Sequence, residues 1–185
     1  MRLRYFISNT HGSIMSMIVH VKDIANIRSQ YKQEKIVLTS GTFDLLHVGH
    51  LRYLSAVKSF GDVVVVMLSS DERVKARKGS KRPIILENDR AQMLDALKIV
   101  DYVFIDPIKS ASDHDNSTYA EIVTNLQLDM YATDGPDPRF WNIMDHSKLT
   151  IIPRSEVESH ASTSAIISHI VRLGTDVDSP RDHQE

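Results

Sequence analysis

Short, largely β-branched apolar runs recur along the chain, and the stretches between them carry apolar residues at helical spacing. "VKDIANIRSQYK" (21–32) predicts a helix, "KIVLTS" (35–40) a strand, and the stretch from His47 or Gly49 to Phe60 a second helix. "DVVVVMLS" (62–69) predicts another strand, followed by a basic loop, "RVKARKGSKR" (73–82). A helix over Glu87 to Lys98 follows, with Asn88 as its cap, then the strand "YVFID" (102–106) and a helix over Thr118 to Leu126. The strands "DMYAT" (129–133) and "KLTIIP" (148–153) and a final helix from Ser162 to Leu173 complete the pattern. The strands are apolar on both faces and alternate with helices, which implies a parallel sheet covered on both sides. The expected fold is therefore α/β, one Rossmann-like domain with about five parallel strands. It should occupy residues 20–173, with a flexible extension over 1–19 and a polar tail over 174–185.

Bulk properties narrow the partners. The chain has 185 residues, 42% of them hydrophobic and 25% charged, which is enough for one real core. A net charge of -2, with basic residues scattered outside 73–82, argues against a nucleic-acid surface and makes that stretch a local anion site. Cysteine is absent, so thiolate metal sites and a cysteine nucleophile are excluded, and a cytoplasmic location is expected. The longest apolar run, "VVVVML" (63–68), is far too short to span a membrane. Nor does the N-terminal stretch carry the apolar core of a signal peptide.

The chemistry concentrates in "SGTFDLLHVGHLRYL" (40–54), which begins at the carboxyl end of a predicted strand. Parallel sheets bind ligands at such ends. Backbone amides around Gly41, Thr42 and Phe43, with the helix start behind them, offer an anion site. His47 and His50 lie three residues apart on the first turn, and Gly49 between them lets a ligand approach the backbone. Zinc is a weaker alternative, because a third ligand at conventional spacing is missing, and no direct metal motif is present. Lys75 and Lys78 follow the next strand and can neutralise phosphate, or simply face solvent. Ser162, Thr163 and Ser164 precede an apolar-periodic helix and can both cap it and grip phosphate. Asp113, His114 and Asp115 read as a polar loop capping the next helix, while Phe140 and Trp141 either stack on a base or close a loop.

"GTFDLLHVGHLRYL" resembles the H-x-G-H signature of the cytidylyltransferase-like nucleotidyltransferases, and three further blocks match in order. These are "SSDERVKARKGSKRPI", "ENDRAQMLDALKIVDYV" with its E-x-x-R, and "HASTSAII". The resemblance implies transfer of a nucleoside monophosphate from an NTP to a phosphorylated small molecule, with pyrophosphate released. On that basis His47, His50 and Lys78 are the catalytic candidates, and Gly41, Thr42, Phe43, Asp44, Gly49, Lys75, Arg90, Ser162, Thr163 and Ser164 the nucleotide or phosphate contacts. Arg90 either reaches a phosphate or pairs at the surface with Glu87 or Asp89; Asp44 orients the turn or a bound Mg²⁺. Asp134 and Arg154 are further candidates, the first within "DGPDP" where the family has Gly-Gly-Asp. Three groups compete. The helix ahead of "EKIVLTSGTFDLLHVGH" is similar to the adenylyltransferase of ADP-heptose synthesis, whereas "GTFDLLH" is closer to glycerol-3-phosphate cytidylyltransferase and FAD synthase. The resemblance thus implies Mg²⁺ with ATP, or CTP as the alternative, a phosphorylated acceptor, and a homodimer.

Overall fold

The computed structural model describes residues 5–6, 15–109, 116–157 and 162–177. Two short antiparallel strands, β1 (Tyr5–Phe6) and β2 (Met15–Ser16), precede the main body. The main sheet holds β3 (Ile36–Gly41), β4 (Val63–Leu68), β5 (Tyr102–Ile105), β6 (Met130–Thr133) and β7 (Leu149–Ile151). They lie in the order β5-β4-β3-β6-β7, all parallel, as the doubly apolar runs predict. All six residues of β4 are buried, as a strand flanked on both sides and covered on both faces must be.

Side-chain alternation sends Leu38, Met67, Phe104 and Tyr131 to one face, where they pack with α1 (Ala25–Gln30) and α5 (Asn116–Leu126). Val37, Val66, Val103 and Ala132 point the other way, toward α2 (Val48–Lys58) and, past α3 (Asp71–Lys78), α4 (Glu87–Asp95). The chain leaves β3 toward β4 and later returns to β6 on its other side. The carboxyl ends of β3 and β6 therefore form the switch point at which open parallel sheets take ligands. α6 (Pro138–Trp141) and α7 (Arg154–Val157) border that end, and α8 (Thr163–Val177) closes the described chain.

Four expectations need correction. The basic stretch is mostly the helix α3, not a loop. Ser70 caps it by accepting the Arg73 N–H at 3.3 Å, Asp71 and Glu72 occupy its first turn, and Lys75, Arg77 and Lys78 its last, the arrangement the helix dipole favours. Asn88 does not cap α4: Leu86 holds that position without a side-chain bond, and the Glu87 carboxylate instead accepts the Asp71 N–H at 2.6 Å. The last helix extends to Val177. Finally, residues 17–19 belong to the domain, since Val19 donates to the Val103 carbonyl, Val103 to that of Met17, and Met17 to Asp95. The segment Asp113–Asp115 lies outside the described residues.

Candidate active site

His47 is the N-cap of α2, with extended backbone (φ -143°, ψ 170°), and its Nδ1 accepts the Gly49 N–H at 3.1 Å. His50 returns the favour: its Nδ1 accepts the His47 N–H at 3.3 Å. Two imidazoles thus build a capping box, and their rings stack with centroids 3.9 Å apart. A backbone N–H can donate only to an unprotonated ring nitrogen, so each Nδ1 is bare and each ring carries its proton on Nε2. Both rings are thereby fixed as Nε2–H donors.

Their protonation follows the same logic. Burial, the neighbouring His47 and the Lys78 ammonium push His50 down to about 4, against a smaller upward pull from Asp44. Burial also lowers His47. At neutral pH the donors are neutral imidazoles. Because the folded value of His50 lies below the ordinary 6.5, the unfolded chain binds more protons between those limits. Stability from this group is therefore complete above about pH 6.5 and lost as pH falls toward 4. Thermal melting from pH 7 to 4 should show that decline, and a His50→Gln protein should show less of it; identical profiles would refute the assignment.

The turn ahead of the histidines is held from three sides. Phe43 adopts a left-handed conformation (φ 43°), is buried, and sets its ring 5.3 Å from that of His50. Gly41 is required there, since a Cβ would stand 2.6 Å from the Phe43 ring. Asp44 is buried and accepts from the Ile84 and Ile85 amides and from Arg82 at 2.7–3.1 Å. Burial would raise its carboxyl, but these donors bring it below the usual range. Asp44 thus orients the turn, and both its oxygens accept from protein donors. Among the described residues no group of three His, Asp or Glu could hold a metal.

Arg90 is a correction to both alternatives offered for it. It is completely buried and donates to the carbonyls of Ile85, Thr42 and Ser69 and to Asp71, at 2.5–3.0 Å. Neither a phosphate nor the surface is within its reach; it ties the β3 turn, the end of β4 and the start of α3 together. Thr42 enters through its carbonyl. Lys78 is exposed at the end of α3 and acts on His50 through its charge, while Lys75 is exposed one turn earlier.

Ser162 caps α8, accepting the Ala165 N–H at 3.1 Å, and Thr163 and Ser164 begin the helix. Among the described residues no hydrogen bond joins these three to the histidine pair. Asp134 is exposed at the end of β6, where its charge acts on the buried Tyr53. That tyrosine anchors α2 to the sheet through Thr39 and the Ala132 carbonyl. The Arg154 side chain lies outside the described residues. Phe140 is core, stacked on Tyr131 at 4.0 Å, so it closes the loop and does not hold a base.

A second polar group at this end of the sheet went unread in the sequence. Arg139 donates to Ser40 Oγ at 2.9 Å, to both oxygens of Asp137 and to Asp106 at 3.1 Å. Tyr131 joins it through Asp137 and Ser40, and Tyr119 through Asp106. Burial raises Asp106 despite Ile108, Arg139 and Arg73, whereas the Arg139 bonds outweigh burial and lower Asp137. The available signals were an acid directly after the apolar strand "YVFI" and the cap signature Asp137-Pro138.

The Cytidylyltransferase-like family matches residues 38–173. The chain belongs to the cytidylyltransferase-like family. With the family comes the enzyme class, nucleotidyltransferase. Among curated relatives, this cytidylyltransferase-like chain is 34% identical over 163 residues to the "Bifunctional protein HldE" of Campylobacter curvus (strain 525.92), covering 88% of this chain and 33% of the relative. It is 38% identical over 147 residues to the same-named protein of Helicobacter pylori (strain Shi470), covering 80% and 30%. The chain therefore spans about a third of the length of the curated relatives it matches. A pantoate-beta-alanine ligase from Francisella tularensis shares its fold, with a TM-score of 0.52 at 17% identity over 80% of this chain and 69% of that one. No helix among the described residues is long and apolar enough to cross a membrane.

Proposed function

We propose that this protein transfers the adenylyl group of ATP to a heptose 1-phosphate, releasing pyrophosphate. The observation that carries the reaction is the reciprocal histidine cap at the switch point, which presents two Nε2–H donors on rings that cannot turn. An oxygen of the acceptor phosphate attacks the α-phosphorus and forms the new P–O bond. The bond from the α-phosphorus to the bridging oxygen breaks, and its electrons leave with pyrophosphate. No covalent intermediate on the protein is needed, so catalysis is positioning and stabilisation of the charge that builds on the phosphoryl oxygens. His47 and His50 donate to those oxygens, and Lys78 adds positive charge beside them.

The curated relatives and the helix ahead of β3 support the heptose acceptor over glycerol 3-phosphate or FMN. Mg²⁺ arrives as the ATP complex, a reading supported by the full engagement of Asp44 with protein donors. Residues 17–177 form the transferase unit, and the working form is a cytoplasmic homodimer. Pyrophosphate release should be measured with ATP, CTP, GTP and UTP against heptose 1-phosphate, glycerol 3-phosphate and FMN. We expect turnover with ATP and heptose 1-phosphate, lost in His50→Ala. Turnover confined to CTP and glycerol 3-phosphate would overturn the substrate assignment while leaving the reaction intact.

A further inference from the structure

Between the start of α5 and α6 lies a cavity of about 260 Å³, lined by Asn116, Pro138, Arg139 and Asn142. It sits at the carboxyl end of the sheet, and Arg139 connects it to the reactive crevice. Arg139 lines the cavity, and its guanidinium bonds Ser40, the residue before Gly41 in the strand that leads to the histidines. We propose that this cavity takes the uncharged, hydroxyl-rich portion of the acceptor and that Asn116, Asn142 and Arg139 determine acceptor specificity. The inference rests on the transferase reading and deepens it.

Charge balance argues against an anionic ligand. Arg139 bonds Asp137 and Asp106, and Arg73 pairs with the same Asp106 at 3.5 Å, so two guanidiniums meet two carboxylates. Among the described residues the wall is neutral overall, unlike the histidine side, where Lys78 stands near His50. A phosphate gains nothing from a wall whose positive charge is already matched. Hydroxyls do gain, because each both donates and accepts, and the two asparagine amides offer both functions. The guanidinium is also pre-set: its four bonds and the Tyr119 ring, 5.4 Å away, hold it in place before any ligand arrives. The volume is small, below that of drug-sized pockets, and fits a compact polyol. The acceptor would then span the sheet end, with its phosphate toward the histidines and its hydroxyls against α5 and α6.

The test compares wild type with Asn142→Ala and Asn116→Ala in two measurements. In steady-state pyrophosphate release, each variant should raise the KM for heptose 1-phosphate by roughly tenfold, the size of about one lost hydrogen bond, while the KM for ATP holds. Saturation-transfer NMR with the unphosphorylated heptose as probe should show transfer to the sugar protons in wild type and its loss in the variants. An unchanged acceptor KM in both folded variants, or an equal rise in both KM values, overturns the proposal. If wild type turns over none of the acceptors, the transferase assignment fails by itself. Sugar signals that depend on Asn142 would then still support the cavity as a polyol site, and no saturation transfer to the heptose in wild type would dismiss it.

Discussion

A His47→Asn protein is expected to melt close to the wild-type temperature and yet lose kcat by about 10²-fold or more. The two effects separate because His47 performs two tasks with two different nitrogens. Its Nδ1 accepts the Gly49 amide and starts α2. Asparagine replaces that acceptor well, being among the best N-caps. It cannot supply the Nε2–H donor. His47→Ala should fail at both tasks, with about 1 kcal/mol of stability lost in addition to turnover. His50→Ala should lower kcat by roughly 10²- to 10³-fold, as when one donor to a developing oxyanion is removed, and weaken the cap from its other side. Pyrophosphate release and thermal melting, run on all three proteins, check the whole pattern. Wild-type turnover in folded His47→Asn would falsify the donor role and leave the histidines as a capping device only.

The larger effect on stability belongs to Arg90. Replacement by Ala removes the fully buried donor group that the half-buried Asp71 carboxylate and the carbonyls of Ile85, Thr42 and Ser69 share. Breaking a buried charged network from one side costs about 3–5 kcal/mol, which in a chain of this size lowers the melting temperature by on the order of 10 °C. Arg90→Lys should recover little, because a single ammonium cannot reach four acceptors spread around a planar fork. Calorimetry decides it: a shift of only about 2 °C in Arg90→Ala would mean that the network is not what holds the turn.

Arg90 also illustrates what the sequence could and could not reveal. Its position after Glu87 in a polar helix start reads as a surface ion pair or a ligand contact, because nothing local announces burial. The carbonyls it serves come from three separate loops, and only the fold brings them together. The strands were legible for the opposite reason, since a run such as "VVVVML" has one stable place, the middle of a covered sheet. α3 lacked that kind of signal. Val74 is its one buried apolar residue, so apolar periodicity is silent there, and the helix shows only in its ends: Ser70, the acids, the bases and Gly79 at φ 90°. The histidine pair was legible as a pair, through its spacing and glycine; its tautomer was not, because that depends on which backbone amides point at which nitrogens. The Arg139 group escaped because its members, Ser40, Asp106, Tyr119, Tyr131, Asp137 and Arg139, are spread over a hundred positions of chain.

The strip of chain at Met17–Val19 bears on how two copies of the protein can meet. By exchanging bonds with Val103 it occupies the outer margin of β5, where a strand from another molecule would otherwise add to the sheet. Direct pairing of another molecule's strand with Val103 is thereby blocked. Among the described residues, the margin of the main sheet that stays open to strand addition is the opposite one, along the three residues of β7.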